Sequence, residues 1–210
     1  MGIIHKITQQ TKNRFLNMYE LEVTHKSGKD SRYFVASRAE KAEDLKITTK
    51  KNTPDGVIIF SIVKDDDGKE KVVLIRQYRY PIDGFIYEFP AGLVDPGEDF
   101  GQAAIRELKE ETGLVLDPIP VAEEYEKPYF TTIGMTDESC ATVYGYASGK
   151  MTRKYQEDSE EIEVVLADKE EIRRILKEER VAIMCAYMLM HYLHDEDAFG
   201  FLRLKDDSIK

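Results

Sequence analysis

Apolar and polar positions alternate with a period of two through the first part of the chain. Residues 15–23 (FLNMYELEV) and 33–36 are predicted strands, with Ser27, Gly28, Lys29 and Asp30 as the turn between them. Residues 46–54 are polar and basic and are predicted to be a linker. A longer series follows. Strands are predicted at 56–63 and 71–77, joined as a hairpin by Asp65, Asp66, Asp67 and Gly68. Further strands are predicted at 85–89, 119–125, 141–147 and 162–167. The period then lengthens. Asp168 opens a predicted helix over 169–178, and a second covers about 180–192. In the second, Ile183, Met184, Tyr187, Met188 and Met190 read as core. The pattern gives an α/β (α+β) chain: a small antiparallel β unit over 1–50 and a main domain over 51–210.

Between the third and fourth strands of that main domain lies one more helix. Asp99 and Gln102 stand three apart, as in a capping box, and Gly113 offers a stop. Give each residue 100° of turn from Ala104. Leu108 and Ile105 then fall at about 40° and about 100°, an apolar edge. Glu107, Glu110 and Glu111 fall at about 300°, about 240° and about 340°, so three carboxylates share one flank. Like charges at this spacing repel, and a divalent cation removes the repulsion. An isolated acidic cluster is most often a solvated face.

Here the cluster belongs to a larger pattern. Residues 92–114 read GLVDPGEDFGQAAIRELKEETGL. They fit G-x5-E-x7-R-E-U-x-E-E-x-G-U, with U aliphatic, at Gly92, Glu98, Arg106, Glu107, Leu108, Glu110, Glu111, Gly113 and Leu114. Arg106 is expected to pair with Glu110 or Glu98 and to orient carboxylates. Gly92 is expected to let the backbone pass close to a metal or phosphate.

This stretch resembles the Nudix box. The resemblance implies an α/β/α sandwich around a mixed sheet and hydrolysis of a nucleoside diphosphate linked to another group. It implies Mg2+ as cofactor, with Mn2+ as a substitute, held by Glu107, Glu111 and the backbone of Ala91, with Glu110 assisting. Flanking residues resemble the ADP-ribose pyrophosphatase branch: Arg76-Gln77-Tyr78-Arg79 upstream, Glu88-Phe89-Pro90-Ala91-Gly92 on the approach, and Gly134 to Ser139 downstream. That downstream loop departs from the branch pattern, with Thr132 and Ile133 where serine and proline are usual. The branch implies Glu138 as general base. It implies Arg79 at the diphosphate, Tyr78 and Glu88 nearby, and an adenine clamp drawn from Phe15, Tyr19, Tyr33 and Phe34. Strand alternation turns Arg76 to the side of Tyr78 and makes it the weaker ligand. The N-terminal strands fit the branch's dimerisation domain, so a homodimer is expected.

Composition narrows the remaining classes. The 210 residues carry 40 acidic against 30 basic side chains, a net charge of −10. That argues against a nucleic-acid partner, and a small nucleotide sugar is expected instead. Two cysteines, Cys140 and Cys185, fit a reducing cytoplasm. Residues 1–14 lack an apolar leader, and no apolar run is long enough for a membrane span. His191 and His194 stand three apart with no third ligand in view. Glu157, Asp158, Glu160, Glu161 and Glu163 read as a solvated acidic loop. Competing readings are a pyrophosphatase for GDP-mannose or UDP-glucose, a hydrolase of oxidised nucleotides, and a non-catalytic sensor of ADP-ribose. The sensor reading calls for a degraded box and an added basic module.

Overall fold

Strands β1 (Ile3–Gln9), β2 (Asn17–Thr24) and β3 (Asp30–Ser37) form an antiparallel sheet in that order. Period two on β2 buries Asn17, Tyr19 and Leu21 together on one face. The β2–β3 turn closes where His25 N donates to Lys29 O at 2.8 Å. β1 was not predicted; Ile3 and Ile4 are exposed on an edge strand. Residues 46–54 are not a plain linker. Helix α1 (Lys46–Thr49) forms there and ends at Lys50, which adopts φ 59°. Lys46 Nζ reaches Asp55 Oδ2 at 2.6 Å and also meets Ser139 Oγ.

The chain is described in a computed structural model over residues 1–65, 67–156 and 161–202. β4 (Gly56–Lys64) and β5 (Glu70–Arg79) make the predicted hairpin, although Asp66 of its turn lies outside the described residues. Among the described residues they pair near the turn, from Ile62↔Val72 to Lys64↔Glu70. Beyond that, β6 (Gly84–Glu88) pairs with β5, and β7 (Ala91–Leu93) pairs with β4 through Val57↔Gly92 and Ile58↔Ala91. The chain crosses from one strand to the other at Phe89-Pro90, where Pro90 O accepts Ile59 N at 2.9 Å. β7 is an extra strand, so the helix follows the fourth strand of this series and not the third.

Helix α2 (Phe100–Thr112) starts and stops as predicted: Asp99 accepts Gly101 N, and Gly113 sits at φ 79°. The strand predicted at 119–125 is instead β8 (Val115–Pro118) followed by the short helix α3 (Glu123–Glu126). Pro118 and Pro120 have no N–H for a ladder. Ile119 N still bonds Tyr144 O at 2.9 Å.

Next comes β9 (Tyr129–Phe130), which pairs with the start of β10 (Ser139–Ser148). β11 (Ile162–Ala167), α4 (Lys169–Glu178) and α5 (Ile183–His194) are the last elements among the described residues. The main sheet runs β11-β5-β4-β10-β8. β4 and β10 begin side by side, Asp55 N donating to Ser139 O at 2.8 Å, so they run the same way in a mixed sheet.

Two compact units result. One is Met1–Asp55 with Pro128–Cys140, and the other is Gly56–Lys127 with Ala141–Lys210. The expected division at residue 50 thus falls five residues early and overlooks 128–140. Inside the first unit, Tyr33 Oη donates to Gly134 O at 2.6 Å and Ala36 N to Met135 O at 2.9 Å.

In the second unit, strand alternation builds two cores. Phe60, Ile62, Val72, Leu74 and Ala167 pack with Ile172 and Ile175 of α4 and Leu189 of α5. Val57, Ile59 and Val73 face the other way, toward Ala103, Ala104 and Leu108 of α2. This is the α/β/α sandwich. On α5 the buried residues are Cys185, Leu189 and Tyr192. Ile183, Tyr187 and Met190, read from the sequence as core, are 67%, 64% and 47% exposed. No helix among the described residues is long and apolar enough to cross a membrane.

Candidate active site

Arg106 organises the acidic flank of α2. Its Nε and Nη2 bond the two oxygens of Glu98 at 3.1 and 2.9 Å. Its Nη1 bonds Glu107 at 2.7 Å and Glu110 at 3.1 Å, and Nη2 also reaches Leu93 O at 3.0 Å. A guanidinium has five N–H donors, and all are used. The sequence offered Glu98 or Glu110 as partner; the structure gives both, and Glu107 as well. The bonds to Glu98 above all hold the guanidinium firmly protonated, and they pull the Glu98 carboxyl below its ordinary range. Arg106 therefore offsets the repulsion among the glutamates.

β7 supplies the facing backbone. Ala91 N donates to Glu111 Oε2 at 3.1 Å, and Glu111 is only 3% exposed. Gly92 lies against Glu107 so closely that a Cβ there would overlap the carboxyl group. The glycine thus admits a carboxylate, where the sequence suggested a metal or phosphate. Among the described residues no three His, Cys, Asp or Glu side chains converge as a ready-made metal cage. The expected donor set is different: two carboxylates one helical turn apart, and the backbone at Ala91. Hard oxygens in small number suit magnesium, which keeps waters and phosphate oxygens in its shell. The cradle at Gly92 and the buried Glu111 fit such an ion.

The upstream residues sit on β5 and β6. Arg79 Nε bonds Glu88 Oε2 at 2.7 Å. Tyr78 Oη donates to Asp83 Oδ1 at 2.5 Å, which raises the phenol pKa, and its ring meets Tyr80 and Phe85 edge-on. Arg76 pairs with Glu163 at 3.1 Å and stacks over Phe85. Its donors serve a surface pair.

Glu138 belongs to the first unit. Its Oε1 accepts from Arg38 Nε at 2.9 Å and lies 2.9 Å from Arg38 Nη2 in the same ion pair, and its Oε2 accepts from Thr131 Oγ1 at 3.1 Å. Arg38 was not foreseen. It lies in no motif, and its partner is a hundred residues on, so the sequence carries no signal for it. Tyr19 requires a correction. It is wholly buried, with its hydroxyl donating to Ala39 O at 2.6 Å, so it offers no open ring face to a base. Phe15, Tyr33 and Phe34 are exposed. His191 and His194 lie on the exposed side of α5. Of the acidic run, 157–160 lie outside the described residues.

The family model for the NUDIX domain matches residues 53–186, well over half of the chain. The chain belongs to the Nudix family. Among Nudix relatives, an ADP-ribose pyrophosphatase of Saccharomyces cerevisiae is 47% identical over 70 residues, covering 33% of this chain and 30% of that one. An ADP-sugar pyrophosphatase of Mus musculus is 40% identical over 72 residues, covering 34% and 33%. The chain thus spans about a third of the length of these Nudix relatives. A crystal structure of an ADP compounds hydrolase superposes with TM-score 0.65 at 17% identity, over 91% of this chain and 94% of that one. It shares the Nudix fold.

Proposed function

We propose that this Nudix protein hydrolyses the diphosphate bond of ADP-ribose with magnesium, or manganese in its place, giving AMP and ribose 5-phosphate. The observation that carries the reading is the seating of Glu107 and Glu111 on α2 against the Ala91–Gly92 backbone. The names of the yeast and mouse relatives support an ADP-linked sugar as substrate. Glu107, Glu111 and the Ala91 carbonyl would hold the cation, with Glu110 assisting. When bound, such an ion polarises phosphoryl oxygens and lowers the pKa of water. Arg106 keeps Glu98, Glu107 and Glu110 aligned. Arg79 binds the diphosphate with charge-assisted hydrogen bonds, helped by Tyr78 and Glu88. Glu138 takes the proton of the attacking water, and Phe15, Tyr33 or Phe34 stacks on adenine. The first unit serves a homodimer, and the two free thiols suit the cytoplasm.

Coupled phosphate release on ADP-ribose, ADP-glucose, GDP-mannose, UDP-glucose and oxidised nucleoside triphosphates tests the substrate. A preference for ADP-ribose of about tenfold in kcat/KM, about 1.4 kcal/mol, is expected. A flat profile or another preferred base would discard the substrate while keeping the Nudix chemistry. Glu111→Gln is expected to lose nearly all turnover. Wild-type rate in that variant would sink the metal reading.

A further inference from the structure

The last turn of α2 carries Glu110 and Glu111 and ends in carbonyls that no helical N–H can reach. Three donors meet them. Gly113 N bonds Lys109 O at 2.9 Å, and Thr152 N bonds Thr112 O at 3.0 Å. The third is a side chain: Gln156 Nε2 bonds Glu111 O at 2.6 Å and reaches Ile162 O, at the start of β11, at 3.5 Å. Both acceptors are carbonyls, so the amide nitrogen and not the oxygen must face them. The loop also packs on the helix end, since a Cβ at Gly113 would strike Thr152.

Glu111 is therefore fixed twice. Its carboxylate accepts the Ala91 amide, and its carbonyl is held by Gln156. The side chain is buried and has little room to recover if the backbone beneath it shifts. A helix terminus frays unless its carbonyls are satisfied, and sites need their ligands placed to a fraction of an ångström. The geometry points to Gln156 as a positioning residue that sets the affinity of the Glu107–Glu111 pair for a divalent cation. The inference rests on reading Glu111 as a metal ligand.

Gln156→Glu keeps the shape and replaces the donor by an acceptor facing a carbonyl. Gln156→Lys restores an N–H donor. Ile175→Val, in the core on the other side of the sheet, controls for general destabilisation. Mn2+ binding to the substrate-free protein, followed by electron paramagnetic resonance, is the readout beside a melting curve. The expected result is Mn2+ binding weakened about tenfold in Gln156→Glu, within about threefold of wild type in Gln156→Lys, and unchanged in Ile175→Val. Wild-type affinity in Gln156→Glu, or equal weakening in all three variants, would overturn the role of Gln156 alone. A wild-type protein that binds no Mn2+ would overturn the metal reading and this inference with it.

Discussion

Gly92 is dictated by a side chain on another element. A methyl group at this position would occupy the space of the Glu107 carboxyl, whose flexible end would have to move. Gly92→Ala is expected to lower turnover about 100-fold, the scale of an ångström's misplacement in a site. The melting temperature should change little, because the clash is with a side-chain tip and not with backbone. A magnesium titration of activity beside a melting curve checks both. Full activity with a lowered melting point would show that the placement of Glu107 is unimportant. Single residues were legible where spacing constrained them. Glu98, Arg106, Glu107, Glu110 and Glu111 stand at fixed intervals, and a helix of known pitch turns intervals into neighbours. Tyr19 and Arg38 were not legible. An aromatic residue on an alternating strand looks the same whether it faces the core or a ligand, and the pairing of Arg38 with Glu138 depends on how distant segments meet.

At the scale of elements, helix ends with a cap were readable and apolar stripes were not. Asp99, Gly113 and Asp168 marked the limits of α2 and the start of α4 correctly. α5 is apolar nearly all round, so two stripes of equal spacing competed for the core. Cys185, Leu189 and Tyr192 occupy it, and Ile183, Tyr187 and Met190 face outward. The two stripes should respond differently to substitution. Leu189→Ala removes a fully buried side chain and is expected to cost about 2–5 kcal/mol. Tyr187→Lys should stay within about 0.5 kcal/mol of wild type. Urea denaturation of both variants measures this, and a large loss in Tyr187→Lys would mean that this face is covered in solution. The misread strand at 119–125 has a local cause too. Its apolar residues follow the sheet at Ile119, but two prolines interrupt the donors on which pairing depends.

For the whole molecule, acid stability follows from carboxylates whose pKa is lower when folded. Asp65 is held down by the backbone N–H of Lys69 first, Glu98 by Arg106 and Glu171 by Arg174. Each binds its proton less readily in the folded chain than at the ordinary 3.8 for Asp65 or 4.5 for the two glutamates. Their stabilisation is complete above those values and is lost as pH falls through the depressed folded ones. Urea midpoints should therefore drop on the acid side in wild type. A Glu98→Gln/Glu171→Gln double variant should start lower at neutral pH and show a shallower drop, and an unchanged slope would count against the linkage. The architecture behind these groups was readable as a class, since alternating strands flanked by capped helices suggest a layered sheet. The assignment of 128–140 was not, because nothing in that segment names its partner. It has a consequence for how the protein is made. The first unit is discontinuous in the chain, its sheet tied through Tyr33 of β3 and through Arg38 to residues that are synthesised about a hundred positions later. On the ribosome the N-terminal sheet must wait, incomplete, until residue 140 has emerged. No single cut can excise it: a fragment ending at 55 leaves behind the segment on which Tyr33, Ala36 and Arg38 close.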